Sequence, residues 1–137
     1  MHLKYLTAND WALLRSKARR LTFAPQEIII AVNARPSALF VLERGSVAVE
    51  IIRGTAIAKL AAGDIFGEMA FVEDSVASAS VVAETETEVD ALDLSDVKDI
   101  FTNFPHLEAR FYKSIALLLS QRLRQTSAQL AKAKLTS

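Results

Sequence analysis

"GDIFGEMAFVEDSVASASVVAET", residues 63–85, is the stretch on which the reading of the whole chain turns. A glycine-bounded turn, Gly63 to Gly67, leads into one glutamate among apolar residues, Glu68-Met69-Ala70-Phe71. Small residues then alternate into the pair Val81-Val82. Glycine allows a close backbone approach, and the free N–H groups of a helical first turn attract anions. Against that, the stretch holds five acidic residues and no basic one. It is an anion cradle, the remnant of one, or a turn between strands, and the surrounding sequence has to decide.

Upstream, short β-branched or apolar runs follow one another: 28–32, 39–42, 47–52 and 56–60. Turn residues separate them: Asn33, Pro36, Gly45, Gly54 and Gly63. Runs this short and this regularly spaced predict an antiparallel sandwich or barrel. Arg44-Gly45 and Arg53-Gly54 are expected to be hairpin turns, with glycine supplying positive φ. Asn33 is the non-glycine residue best suited to that conformation. Downstream, strands are expected over 78–83 and 89–94. Before the first run, Thr7 and Asp10 form a capping signal. Trp11, Leu14, Ala18 and Leu21 recur at helical spacing, which predicts a helix stopping before Pro25.

Beyond Leu94 the period becomes helical. Ser95 is placed to cap a short helix over 96–101, and Asn103-Phe104-Pro105 ends it. A long helix follows over about 106–132, with two apolar stripes. Leu107, Phe111, Ile115 and Leu118 form the first; Tyr112, Ala116, Leu119, Leu123, Thr126 and Leu130 form the second. One stripe suffices to pack on the sheet. The second predicts a partner, most simply a second copy through a short coiled coil, or else a single broad face on the sheet. The order of elements defines an α+β fold: one domain over 1–137, an antiparallel β-roll (double-stranded jelly-roll) at about 22–95, an N-terminal helix, and hinge and long C-terminal helices at about 96–132.

The totals exclude several classes. The 137 residues suffice for one domain with a real core. The absence of cysteine removes disulfides, thiolate zinc sites and thiol catalysis. No apolar run is long enough to span a bilayer, and the first residues carry no signal-type segment, so a cytoplasmic domain is expected. The two histidines, His2 and His106, sit in no catalytic or metal-ligating constellation, and no P-loop or nucleophile elbow is present; no enzyme activity is expected. Net charge is zero but uneven: residues 1–59 hold nine Lys/Arg against four Asp/Glu, and residues 60–97 hold ten Asp/Glu and no Lys/Arg. The acidic run over 83–90 reads as a solvated hairpin tip. The lack of positive charge in mid-chain argues against non-specific nucleic-acid binding there.

With these elements placed, the sequence resembles the cyclic-nucleotide-binding domain family of the catabolite-activator and protein-kinase-regulatory-subunit type. The resemblance covers nearly the whole chain. It enters at Phe23, Glu27 and Ile29, continues through "LFVLERGSVAVE" (39–50) and is sharpest at "LAAGDIFGEMAF" (60–71). It implies a site in which the turn Gly67, Glu68, Met69, Ala70 meets a cyclic phosphate with backbone N–H groups, while the Glu68 carboxylate accepts from the ribose hydroxyl. Taken alone, Glu68 reads equally as a cap or as half of a surface ion pair.

The family's phosphate-binding arginine is followed by a small hydroxyl residue and alanine. Ser78-Ala79 match those two, but Ala77 stands in the arginine's place. A hydrogen bond to a charged group contributes roughly 1.5–3 kcal/mol, so its loss is expected to weaken phosphate binding about 10- to 150-fold. Arg35 and Arg53 are the loop arginines that could substitute. The ending "QRLRQTSAQL" (121–130) is similar to the long helix of the catabolite-activator branch, whose Thr-Ser pair reads adenine; Thr126-Ser127 match it.

Two functions follow. One is a regulatory sensor that binds a cyclic nucleotide, cyclic AMP in preference to cyclic GMP, with weakened affinity, and signals through its C-terminal helix. The other is a degenerate domain that binds no nucleotide and acts as a dimerisation or protein-interaction module of a larger regulated protein. Either way a homodimer through 106–132 is expected. The family's transcription factors carry a helix-turn-helix after this helix; too little chain follows Leu130 for one here.

Overall fold

The computed structural model describes residues 3–136; His2 lies outside them. The elements run α1 (Ala8–Arg15), β1 (Arg19–Phe23), β2 (Ile28–Ile30), β3 (Ala38–Arg44), β4 (Ser46–Ile52), β5 (Thr55–Ala61), β6 (Ile65–Phe66), a 3₁₀ turn (Glu68–Phe71), β7 (Ser80–Ala83), β8 (Thr87–Asp93), α2 (Leu94–Asn103) and α3 (Pro105–Thr136). The strands form two four-stranded antiparallel sheets, ordered β1-β8-β3-β6 and β2-β7-β4-β5. This is the expected α+β architecture, a β-roll with an N-terminal helix and a long C-terminal helix.

The middle of the first sheet is covered on both faces, and alternation sends its apolar side chains to one of two cores. Leu39, Val41, Ile65 and Leu92 face the helices, where they meet Leu14, Val97, Phe101, Leu107, Phe111, Ile115 and Leu118. Leu42, Phe66 and Val89 face the second sheet and meet Ile30, Val47 and Val81. The first apolar stripe of α3 is thus fully used. Of the second stripe, Tyr112 and Leu119 pack partly against the helical core, whereas Leu123 and Leu130 are 67% and 69% exposed.

Several expectations are corrected. The helix predicted up to Pro25 ends at Arg15, capped at its start by the Thr7–Asp10 box as read. Ala18 and Leu21 do not continue it: β1 pairs with β8, Arg19 opposite Ala91 through Phe23 opposite Thr87. Leu21 and Phe23, spaced by two, enter the inter-sheet core, and the long-range pairing outweighs the local helical period. Arg44-Gly45 is not a hairpin turn. There the chain leaves the first sheet for the second, and Gly45, at φ +97°, is so close to the 84–87 segment that a Cβ would lie 2.5 Å from the Glu86 carbonyl oxygen. Arg53-Gly54 is a hairpin turn, with Ile52 opposite Thr55. Asp93, not Ser95, occupies the N-cap of α2. Asn33 has the expected positive φ, 69°.

The acidic run is not a free hairpin tip, because β7 and β8 belong to different sheets. Arg44 donates to Glu86 at 3.1 Å and to Glu88 at 3.0 Å; Arg20 Nε donates to Asp90 at 2.6 Å; Arg19 pairs with Asp93. Burial raises the Asp90 carboxyl, but the hydrogen bond and charge of Arg20 outweigh it and hold it below the usual carboxylate range. The arginines of the first half therefore answer the carboxylates of the middle, and much of the uneven charge is neutralised across the first sheet.

Candidate ligand site at the Glu68 turn

Gly67 begins the site. Its φ of +82° belongs to the left-handed region, and a Cβ there would lie 2.7 Å from the Ala38 carbonyl oxygen. Only glycine fits both constraints. The reversal sets Glu68-Met69-Ala70-Phe71 into one 3₁₀ turn. Phe66, just before it, stacks on Phe40 at 5.1 Å between ring centroids. Phe71, at its end, meets Phe111 of α3 at 5.3 Å. The turn is held by both cores.

Glu68 is buried, 4% exposed, and is not a surface cap. Its carboxylate accepts a hydrogen bond from Arg122 Nη1, and Arg122 Nη2 donates to the Ile65 carbonyl. One guanidinium thus joins α3 to the turn and to β6. Met69 is exposed and Ala70 half-buried.

The next segment is pinned by its backbone. Ala77 N–H donates to the Ala34 carbonyl at 2.7 Å, and Asn33 N–H donates to the Ala77 carbonyl at 2.8 Å. The Ala77 side chain packs against the inter-sheet core; Ser78 is exposed and Ala79 half-buried. Arg35 is engaged by Asp74 and Arg53 by Glu50 at 2.9 Å, so both loop arginines already face carboxylates. On α3, Thr126 Oγ1 donates to the Arg122 carbonyl at 3.0 Å, and both Thr126 and Ser127 are exposed.

The structure therefore joins the Gly67–Ala70 turn to α3 through Arg122, which is not among the site residues expected from the sequence. The signal was present. Arg122 follows Leu118 at the next position of the stripe Leu107, Phe111, Ile115, Leu118. A charge on an otherwise buried stripe needs a buried partner. Among the described residues no cluster suited to a metal ion occurs, and no helix is long and apolar enough to cross a membrane.

A roll closed by a long helix over a Gly-Glu turn defines the class. The chain belongs to the cyclic nucleotide-binding domain family, whose model matches residues 20–104. It is similar to cyclic GMP-binding protein C of Dictyostelium discoideum, 28% identical over 123 residues, covering 87% of this chain and 5% of that protein. It is also similar to glutaminase 1 of Bradyrhizobium diazoefficiens, 31% identical over 127 residues, covering 93% of this chain and 21% of that one. The chain thus spans at most about a fifth of either relative. Among solved structures, a cyclic nucleotide-binding domain from Methylobacillus flagellatus shares the fold, with a TM-score of 0.83 at 23% identity over 92% of this chain and 73% of that one.

Proposed function

We propose that this chain is a regulatory domain that binds a cyclic nucleotide at the Glu68 turn, with affinity weakened by Ala77, and passes the event on through α3. The observation that carries this reading is the double link between turn and helix: Arg122 on Glu68 and Phe71 on Phe111. Gly67, Glu68, Met69 and Ala70 supply the anion-facing N–H groups and the ribose acceptor. Ser78 and Ala79 flank the phosphate, with Ala77 in the arginine's place. Thr126 and Ser127 read the base, which puts cyclic AMP ahead of cyclic GMP. A ligand hydroxyl on Glu68 changes the setting of Arg122, and so the relative stability of α3 positions. Ligand shifts that balance only by its differential affinity for the two. The domain acts as a cytoplasmic homodimer through α3 and does no chemistry itself; the likeness to a glutaminase covers only a small share of that enzyme.

A second reading keeps the fold without the ligand. It is favoured by the occupied Glu68 carboxylate and by exposed Leu123 and Leu130 on α3, which suit a dimerisation or interaction module of a larger protein. Isothermal titration with cyclic AMP and cyclic GMP separates the two. The sensor reading expects saturable binding, lost in Glu68→Gln and strengthened in Ala77→Arg. No heat and no thermal shift at millimolar nucleotide, in the wild type and in Ala77→Arg alike, leaves only the module.

A further inference from the structure

We propose that the cleft between α1 and the end of β3 binds a small zwitterion, an α-amino acid with an apolar side chain. The site is separate from the nucleotide reading: no residue of the Glu68 turn lines it.

On β3, alternation carries Leu39, Val41 and Glu43 to the side that faces the helices. Leu39 and Val41 are covered by the helical core. α1 ends at Arg15, and next to that end Glu43 is only half-buried. The result is an open cleft of about 300 Å³, walled mainly by Trp11, Arg15, Val41, Glu43, Gly63 and Ile65. A Cβ placed on Gly63 would meet nothing within 4 Å, so the turn between β5 and β6 does not intrude. Ligand pockets run from roughly 300 to 1,000 Å³, and a cleft at the lower limit selects a small molecule.

Two opposite charges stand in this cleft. Arg15 Nη1 donates to Glu43 and, at 2.8 Å, to Asp90. Arg20 Nε also donates to Asp90, at 2.6 Å, which leaves Arg15 and Glu43 as a matched pair. Both are accessible, their side chains 41% and 26% exposed. Among the described residues Arg15 donates through Nη1 alone. A guanidinium has five N–H donors, so Nε and Nη2 remain for a carboxylate, and Glu43 keeps acceptor sites for an ammonium. A lone anion here is repelled by Glu43 and a lone cation by Arg15; a ligand with both charges meets an opposite one at each end. The rest of the wall is Trp11, glycine and aliphatic residues, so the rest of the ligand is apolar. Arg15 also lies over the Trp11 ring, 5.5 Å from its centroid, and the indole therefore reports on whatever reaches the guanidinium.

Trp11 is the only tryptophan in the chain, so its emission reads this cleft directly. The probe is L-leucine, titrated against the whole chain by Trp11 fluorescence and by calorimetry. Saturable binding is expected in both. Two analogues test the charges on the wild type: 4-methylpentanoate lacks the ammonium and 3-methylbutylamine lacks the carboxylate. Each is expected to bind about 10- to 150-fold more weakly than leucine, the loss of one hydrogen bond between charged groups. Glu43→Gln is expected to weaken leucine by a similar factor and to remove its advantage over 4-methylpentanoate. No response to millimolar leucine overturns the proposal, as does heat without a change in Trp11 emission. So does leucine that binds no more tightly than either analogue, or a Glu43→Gln protein that binds it as the wild type does. Should Glu43→Gln fail to fold by circular dichroism, the comparison of the three ligands on the wild type decides alone. None of these outcomes bears on cyclic AMP, which is titrated separately.

Discussion

At Gly67 two demands meet in one residue: a left-handed φ of +82° and an approach of 2.7 Å between a would-be Cβ and the Ala38 carbonyl. A left-handed residue with a side chain costs about 1–2 kcal/mol, and the close contact adds to it. Gly67→Ala is expected to lower unfolding stability by at least ~2 kcal/mol, read as a shift in urea midpoint; an unchanged midpoint contradicts the account. Glu68 is a different case, because its burial was not legible from sequence. One glutamate in a turn reads as a cap, and only the tertiary placement of Arg122 turns it into half of a buried pair. Glu68→Gln keeps the shape but removes the charge that holds Arg122. We expect α3 to loosen beyond Leu118, measured as faster amide exchange there with the roll unchanged.

At the scale of elements, α1 is fastened to α3. Arg110 donates twice to Asp10, each bond at 2.7 Å, and Asp10 also accepts from the Thr7 N–H as part of the capping box. Chiefly the Arg110 hydrogen bond holds the Asp10 carboxyl at about 2, against an ordinary 3.8. A carboxyl whose pKa is lowered in the folded state stabilises it above its unfolded pKa, and that contribution is lost as pH falls through the folded value. The wild type should therefore lose stability between about pH 4 and pH 2. Arg110→Ala should be less stable at neutral pH and show a shallower acid slope. A parallel pH profile in the two proteins contradicts this assignment.

The exposed end of α3 makes its own prediction. Leu123 and Leu130 lie on the second stripe and face solvent in the single chain. If a second copy covers them, Leu123→Glu with Leu130→Glu converts dimer to monomer in sedimentation without altering the roll; an unchanged sedimentation coefficient argues against this seam.

Elements also divide what the sequence made legible. The strands with two-residue alternation, the capping box and the long helix were readable because local pattern and tertiary need agree there. β1 was not, since Trp11, Leu14, Ala18 and Leu21 carry a helical spacing that only the pairing with β8 overrides. The two-residue β6 is too short for any periodic signal. Gly45 gave a correct turn signal with the wrong consequence: positive φ serves a passage between sheets as well as a hairpin, and only the partner strands distinguish them.

At the scale of the molecule, two cores share one sheet. The inter-sheet core forms the wall behind Ala77, the helical core carries α3, and the Glu68 turn sits where they meet. The family match covers the roll and the short helix, residues 20–104; the contact that ties α3 to the Glu68 turn lies beyond it, at Arg122. The central claim is that a cyclic nucleotide enters at this junction and is felt on the helix. Amide-resolved NMR titration of the whole chain with cyclic AMP tests it most directly. The account predicts saturable shifts at Gly67–Ala70 together with shifts along α3 from Arg122 to Ser127. Shifts confined to surfaces away from that junction, or none at millimolar nucleotide, would contradict it.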